Sequence, residues 1–250
     1  MRKLRKLALL VRSGELVLLL RLIARRLYSE SVSLGLRREV SEPLEAPRPR
    51  MALTIRPLEP DDVPLFTVSI PNLDRTNVMD RVNARLLIES GIRQCYVAVT
   101  PDGHPCYMQC LIESSQNGKL RRLYGNLVPP LQQDEGLLEA AFSLEKYRGR
   151  GLMLQVIPEL LARARQLGLR RLILFASVNN LPMLRACRWA GFVPYTERRQ
   201  SHRLFHRRVT FRPLPDGTPY PLGVASGQDR DRPSGGRTST PLRESPGGSM

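Results

Sequence analysis

The stretch that most constrains this chain runs from Gly136 to Leu167. Gly136 to Leu144 is an apolar run that reads as a strand. Leu152 to Leu167 reads as an amphipathic helix, with Met153, Val156, Ile157, Leu160, Leu161, Ala164 and Leu167 on one broad apolar stripe and Pro158 inside it. Between them lies Tyr147-Arg148-Gly149-Arg150-Gly151. Glycines let a backbone approach an anion with no Cβ in the way. The first N–H groups of the helix then point at that anion, and the helix dipole favours negative charge there. Arg148 and Arg150 add forked donors that match phosphate oxygens. Neither G-x-x-x-x-G-K-[ST] nor G-x-G-x-x-G is present, so an ordinary basic loop with a glycine hinge competes with the phosphate cradle.

The net charge of +16 over 250 residues agrees with an anionic partner: a nucleotide cofactor, nucleic acid or a membrane surface. Lysine occurs only at Lys3, Lys6, Lys119 and Lys146, so arginine carries nearly all of the charge. A GC-rich genome produces the same skew, and part of the charge lies in the termini. Aromatics do not interleave the basic runs, so specific nucleic-acid binding is not expected. Cys95, Cys106 and Cys110 lie in apolar, strand-like text and read as buried thiols in a reducing compartment, which makes a cytoplasmic location the expectation. His104, His202 and His206 are scattered, and no metal site is expected. Leu16 to Leu20 is the longest apolar stretch, too short to span a bilayer, and no small-residue cleavage site follows it.

In chain order, residues 1–50 read as a basic helical extension followed by a Pro-containing linker. Leu4, Leu7, Ala8 and Val11 share a helical face; Glu15 to Tyr28 repeats the pattern; Ser29 to Arg50 turns polar, with Pro43, Pro47 and Pro49. Three readings stay open for residues 1–28: packing on this protein or on a partner protein, a peripheral membrane anchor, or a transit peptide. A mixed α/β domain is expected over 51–212, opening with a strand at Leu53 to Pro57. Asp74 to Glu89 reads as a helix, Cys95 to Thr100 and Cys106 to Ile112 as a hairpin, and Ser114 to Pro130 as irregular with a short strand near Arg121 to Leu127. Arg171 to Val178 is a near-continuous apolar strand, Asn180 an N-cap, Phe192 to Tyr195 and Leu204 to Phe211 the last strands. Residues 213–250 are rich in Pro, Gly and Ser and read as a disordered tail.

These elements resemble the GCN5-related N-acetyltransferase (GNAT) superfamily over about residues 52–212. Leu53-Thr54-Ile55-Arg56-Pro57-Leu58, followed by Asp61-Asp62, is similar to the usual opening of such domains. Tyr147-Arg148-Gly149-Arg150-Gly151 resembles their R/Q-x-x-G-x-G/A pyrophosphate loop, and Asn180 with Gly191-Phe192 resembles their N…GF motif. The resemblance implies a twisted mixed sheet, mostly antiparallel, flanked by helices and splayed between the domain's fourth and fifth strands, with acetyl-CoA as co-substrate in the gap. Two positions depart from the pattern. Met153 stands where Gly or Ala is usual, and Cys187 stands where many members have a tyrosine that protonates the leaving thiolate.

The implied activity is transfer of an acetyl group from acetyl-CoA to an unidentified amine by direct attack. Phe142, Ser143 and Leu144 would supply backbone groups to the thioester and pantetheine. Arg148, Gly149, Arg150, Gly151, Leu152, Met153 and Asn180 would contact the remaining cofactor. Glu139, Glu113 and Glu145 are the base candidates, Glu139 first, and Cys187 is the acid candidate. Tyr124 and Arg121-Arg122 are acceptor-contact candidates. The competing function is a non-catalytic acyl-CoA-binding module docked through the basic N-terminal helix.

Overall fold

The computed structural model describes Ala24 and residues 27–44, 51–68 and 75–222. One sheet organises them. Its strands are β1 (Tyr28–Glu39), β2 (Thr54–Pro57), β3 (Cys95–Val99), β4 (Pro105–Glu113), β5 (Glu135–Ser143), β6 (Arg171–Ser177), β7 (Val193–Arg203) and β8 (His206–Pro213). They lie in the order β2-β3-β4-β5-β6-β1-β7-β8. All neighbours are antiparallel except β5 and β6. The helices are α1 (Val63–Thr67), α2 (Arg75–Glu89), α3 (Asn117–Tyr124), α4 (Leu152–Gln166) and α5 (Leu181–Trp189). The mixed, mostly antiparallel architecture expected from the sequence is the one observed.

The centre of the sheet is covered on both faces, which is why β4 is buried at every position from Cys106 to Ile112. On one face the α4 stripe, with Leu184 and Cys187 of α5, packs on Leu111, Leu138, Leu172 and Leu174. On the other, Phe66 of α1, Ala84 and Leu87 of α2 and Leu120 of α3 cover Val97, Met108, Ile112 and Ile173. Pro158 is accommodated within an uninterrupted α4.

The largest departure from expectation is β1. The sequence reads as linker from Ser29 onward, yet this segment lies between β6 and β7 and pairs with both. Leu34, Leu36 and Val40 enter the core. The period-2 alternation of Val32, Leu34 and Leu36 was the available signal, masked by serines and by Arg38 at the next inward position. Arg38 is buried because its guanidinium caps the C-terminal end of α5. Its Nη1 donates to the Ala190 carbonyl at 2.8 Å, and its Nη2 donates to the carbonyls of Glu42 and Pro43 at 2.9 and 3.0 Å. A Cβ at Gly191 would fall 1.9 Å from Arg38 Nη1. At φ 74° any side chain there is strained, and it would also displace the Arg38 guanidinium from the Ala190 carbonyl. The helix expected before Tyr28, apart from Ala24 and Leu27, and the linker over 45–50 lie outside the described residues.

Residues 114–124 form a 3-10 turn leading into α3, and no strand occurs at Arg121 to Leu127. The Asn117 side chain anchors this segment by bonding both the carbonyl and the N–H of Leu131, each at 2.9 Å. At the other end, order continues past residue 212: Leu214, Tyr220 and Leu222 pack on the core, and the Tyr220 hydroxyl donates to the Phe192 carbonyl at 2.7 Å. The remainder of the expected tail, 223–250, lies outside the described residues.

Cys95 and Cys110, expected as free thiols, face each other across the β3–β4 pair and form a disulfide. Linear spacing could not show this, because only the hairpin register sets them opposite. Protein purified without reductant and then denatured is expected to titrate two thiols, Cys106 and Cys187, with a thiol reagent. Four reactive thiols would refute the pairing. Closing the 15-residue separation is expected to contribute about 3 kcal/mol of stability, read as a lower Tm on reduction.

Candidate functional site

The site is built where the sheet opens. β5 and β6 pair only at Glu135–Arg171, Gly136–Leu172 and Leu137–Ile173. Both strands then run on, β5 to Ser143 and β6 to Ser177, without further pairing to each other. A bulge bends β5 at this point. The register with β4 passes from Cys110–Glu139 to Met108–Phe142, so Ala140 and Ala141 together oppose Gln109, with Ala140 at φ 55°. The result is a gap between the strands the resemblance names as fourth and fifth of the domain.

Alternation decides which backbone groups face that gap. The Leu144 N–H donates to the Cys106 carbonyl of β4 at 3.0 Å. In an antiparallel ladder the neighbouring Ser143 groups must then point away from β4, into the gap. Leu144 is thereby corrected as a donor to a ligand, and Phe142 turns the same way as Leu144. The Phe142 side chain is buried against Phe66, ring centroids 6.0 Å apart.

After Ser143 the chain makes a 3-10 turn at Glu145–Tyr147 and enters the basic loop. Gly149 and Gly151 both have positive φ, 73° and 68°. A Cβ on either would meet no atom within 4 Å, so the loop stands in open space and its shape comes from backbone conformation rather than from packing. Gly151 is the N-cap of α4, which leaves the first N–H groups of that helix without intrahelical acceptors. The Leu152 and Met153 side chains turn into the core. The bulk of Met153 is therefore directed away from the loop, and this departure from the pattern that the resemblance implies leaves the loop open. Arg148 Nε donates to the Ser143 carbonyl at 3.3 Å, and its Nη2 lies 3.6 Å from Asp80. The Arg150 guanidinium lies 5.6 Å from the Tyr147 ring. Asn180 caps α5, its Oδ1 accepting from the Met183 N–H at 3.2 Å, just beyond the end of β6.

Glu139 stands on the bulged part of β5. The Tyr124 hydroxyl at the end of α3 donates to its Oε1 at 3.0 Å. Arg198 of β7 faces the same pair. Its guanidinium lies 4.6 Å from the Phe175 ring of β6 and donates to the Leu127 carbonyl at 2.8 Å and the Ser33 hydroxyl at 3.1 Å. Burial pulls Arg198 below its ordinary value, while the charge of Glu139 acts in the opposite direction. Glu139 and Tyr124, 15 residues apart in sequence, are thus one cluster, joined by Arg198, Ser33 and Phe175. The last three carried no local signal: an arginine among arginines, a serine in polar text and an apolar strand residue.

The other base candidates are elsewhere. Glu145 pairs with the buried Arg81 at 2.9 Å, and Arg81 also donates to the carbonyls of Leu65 and Val68. This ties the turn before the basic loop to α1 and α2. Glu113 is held by the Gln94 amide at the far end of β4, opposite Gly136. Arg121 and Arg122 are exposed in the last turn of α3, where positive charge suits the helix dipole. Cys187 is fully buried, and burial pushes its thiol up to about 12. Its side chain belongs to the core under α4 and α5, which corrects its assignment as acid.

A profile of the acetyltransferase (GNAT) family matches residues 117–192. No curated protein matches the sequence. Among solved structures, a GCN5-related glucosamine N-acetyltransferase region of a fungal multi-domain β-N-acetylglucosaminidase shares the fold, with 10% identity and a TM-score of 0.52 over 73% of this chain and 22% of that one. A GCN5-related N-acetyltransferase from Sphaerobacter thermophilus is 17% identical, with a TM-score of 0.44 over 78% of this chain and 55% of that one. An acetyltransferase of the GNAT family from Colwellia psychrerythraea is 16% identical, with a TM-score of 0.43, covering 75% of this chain and 57% of that one. The chain thus spans little more than half the length of the last two.

Proposed function

Because residues 117–192 carry the sequence pattern of the acetyltransferase (GNAT) family, we propose that this protein is an acyl-CoA-dependent N-acyltransferase that moves an acetyl group from acetyl-CoA to an amine. The observation that carries the reading is the coincidence of three features around one gap: the splayed β5–β6 edges, the open Gly149–Gly151 loop that follows β5, and Glu139 at the bulge of β5. Bound there, acetyl-CoA supplies an activated acyl carbon. The Gly149 to Met153 N–H groups and the charges of Arg148 and Arg150 hold its pyrophosphate, and Asn180 stands within the same frame. The gap-facing backbone of Ser143 orients the pantetheine as an added strand would be oriented. Glu139, oriented by Tyr124, takes the proton that the attacking amine must lose. The inward turn of Met153 removes one reason to prefer a non-catalytic role.

Ligand linkage tests the reading directly. Acetyl-CoA at about 100 times its Kd is expected to add about 2.7 kcal/mol of stability. For a chain of this size that raises the Tm by about 5–10 °C. Absence of any shift at millimolar acetyl-CoA in folded protein would rule out acyl-CoA binding. A shift without amine-dependent CoA release across a broad acceptor panel would favour the binding module instead.

A further inference from the structure

The hairpin joining β7 to β8 breaks a local rule at its tip. Leu204 and Phe205 form its two-residue turn, with φ of 46° and 68°. Both central residues at positive φ is the type I′ arrangement, which favours Asn-Gly and strains bulky side chains. Both side chains are also exposed, at 74% and 53%. Tyr28, 71% exposed, and Leu27, 43% exposed, lie beside them, the Leu204 N–H donating to the Leu27 carbonyl at 2.9 Å. This end of the ribbon projects: β1 pairs with β6 only from Ser33 onward, but with β7 back to Tyr28. Strain and exposed apolar area at a projecting tip make a surface with a use outside the fold.

Charge identifies what fits it. Arg203, Arg207 and Arg208 flank the turn, and no acidic residue lies between Arg198 and Arg212, although Arg198 is half-buried beside Glu139 and Arg199 pairs with Glu197 and Glu30. Arginines on an edge strand also discourage strand-to-strand aggregation, but that need does not call for Leu204 and Phe205. Residues 1–26, which lead directly into Leu27, carry eight basic residues and one acid. Like charge opposes covering of the tip by that segment or by a second copy of the hairpin. An anionic surface attracts both at once.

We propose that the β7–β8 tip, together with Leu27 and Tyr28, is a docking surface for an anionic lipid bilayer, with Leu204 and Phe205 entering the headgroup region and the flanking arginines meeting lipid phosphates. Arg207, two residues past Phe205, donates to the Tyr124 carbonyl at 3.4 Å and to Asn126 at 2.9 Å, so this surface adjoins the Glu139–Tyr124 cluster, but the proposal does not depend on the acyltransferase reading.

The test is flotation of the full chain with phosphatidylcholine vesicles with and without 30 mol% phosphatidylglycerol, beside the Leu204→Asn/Phe205→Gly variant. That variant removes the apolar tip and installs the residues the turn prefers, so its Tm is expected to be equal or higher. The wild-type chain is expected to bind anionic vesicles, to bind neutral ones at least tenfold less, and to lose at least tenfold in partitioning in the variant. Equal binding by variant and wild type, or no binding by wild type, overturns the proposal. So does a lower Tm in the variant, which would mean that residues 1–26 cover the tip. Concentration-dependent self-association that the variant abolishes would assign the tip to a second copy instead.

Discussion

A chain beginning at Met51, which keeps β2 through β8, is expected to lose its cooperative thermal transition. Among the described residues, β1 is the strand through which β6 and the β7–β8 hairpin are hydrogen-bonded into one sheet, so its removal detaches two strands from the sheet's ladder and leaves β6 as an open edge. Leu34, Leu36 and Val40 leave the core with it. At about 1.5–3 kcal/mol for each buried side chain, they alone represent roughly 5–9 kcal/mol. A domain's whole stability is only about 5–15 kcal/mol. Loss of Arg38 also strips the cap from the Ala190 carbonyl at the end of α5. Calorimetry of this truncation beside a chain beginning at Leu27 decides the matter. A cooperative endotherm from the shorter chain would show that β1 is an accessory rather than part of the folding unit.

Glu139→Gln is expected to lower kcat by about 10²–10⁴-fold, or about 2.7–5.5 kcal/mol in activation free energy. The amide keeps the size of the side chain and can still accept from the Tyr124 hydroxyl, but it cannot take up the proton of the amine. The acetyl-CoA-induced rise in Tm should survive, because the loop proposed to hold the pyrophosphate is shaped by the Gly149–Gly151 backbone and not by this side chain. The measurement is CoA release with any amine that the wild-type protein turns over, alongside the thermal shift. Unchanged kcat would assign proton removal to another group. A lost thermal shift would mean that Glu139 holds the cleft together instead.

Part of this site could be read in the chain because its physics is local. The Gly149–Gly151 turn, the apolar stripe of α4 and the cap at Asn180 depend on neighbours within a few residues, and the structure places all three where the pattern predicts. Glu139 was named from its position on a strand at the edge of the expected gap, and Tyr124 from the loop before that strand. Their hydrogen bond was not legible, because it needs α3 folded where the text between Ser114 and Pro130 reads as irregular.

Periodicity and backbone preference need no distant partner, so they suffice for the strand, glycine turn and helix around Gly149, for the mixed α/β class and for the family likeness. Tertiary structure alone decided the rest. It gave β1 a place between β6 and β7, where pairing on both sides and burial of Leu34 and Leu36 outweigh the polar composition that reads as linker. It also set Cys95 opposite Cys110, turned Cys187 and Met153 into the core, and brought Arg198 to Glu139. Each of these is a contact between residues distant in the chain, and only the sheet's strand order and register bring such residues together.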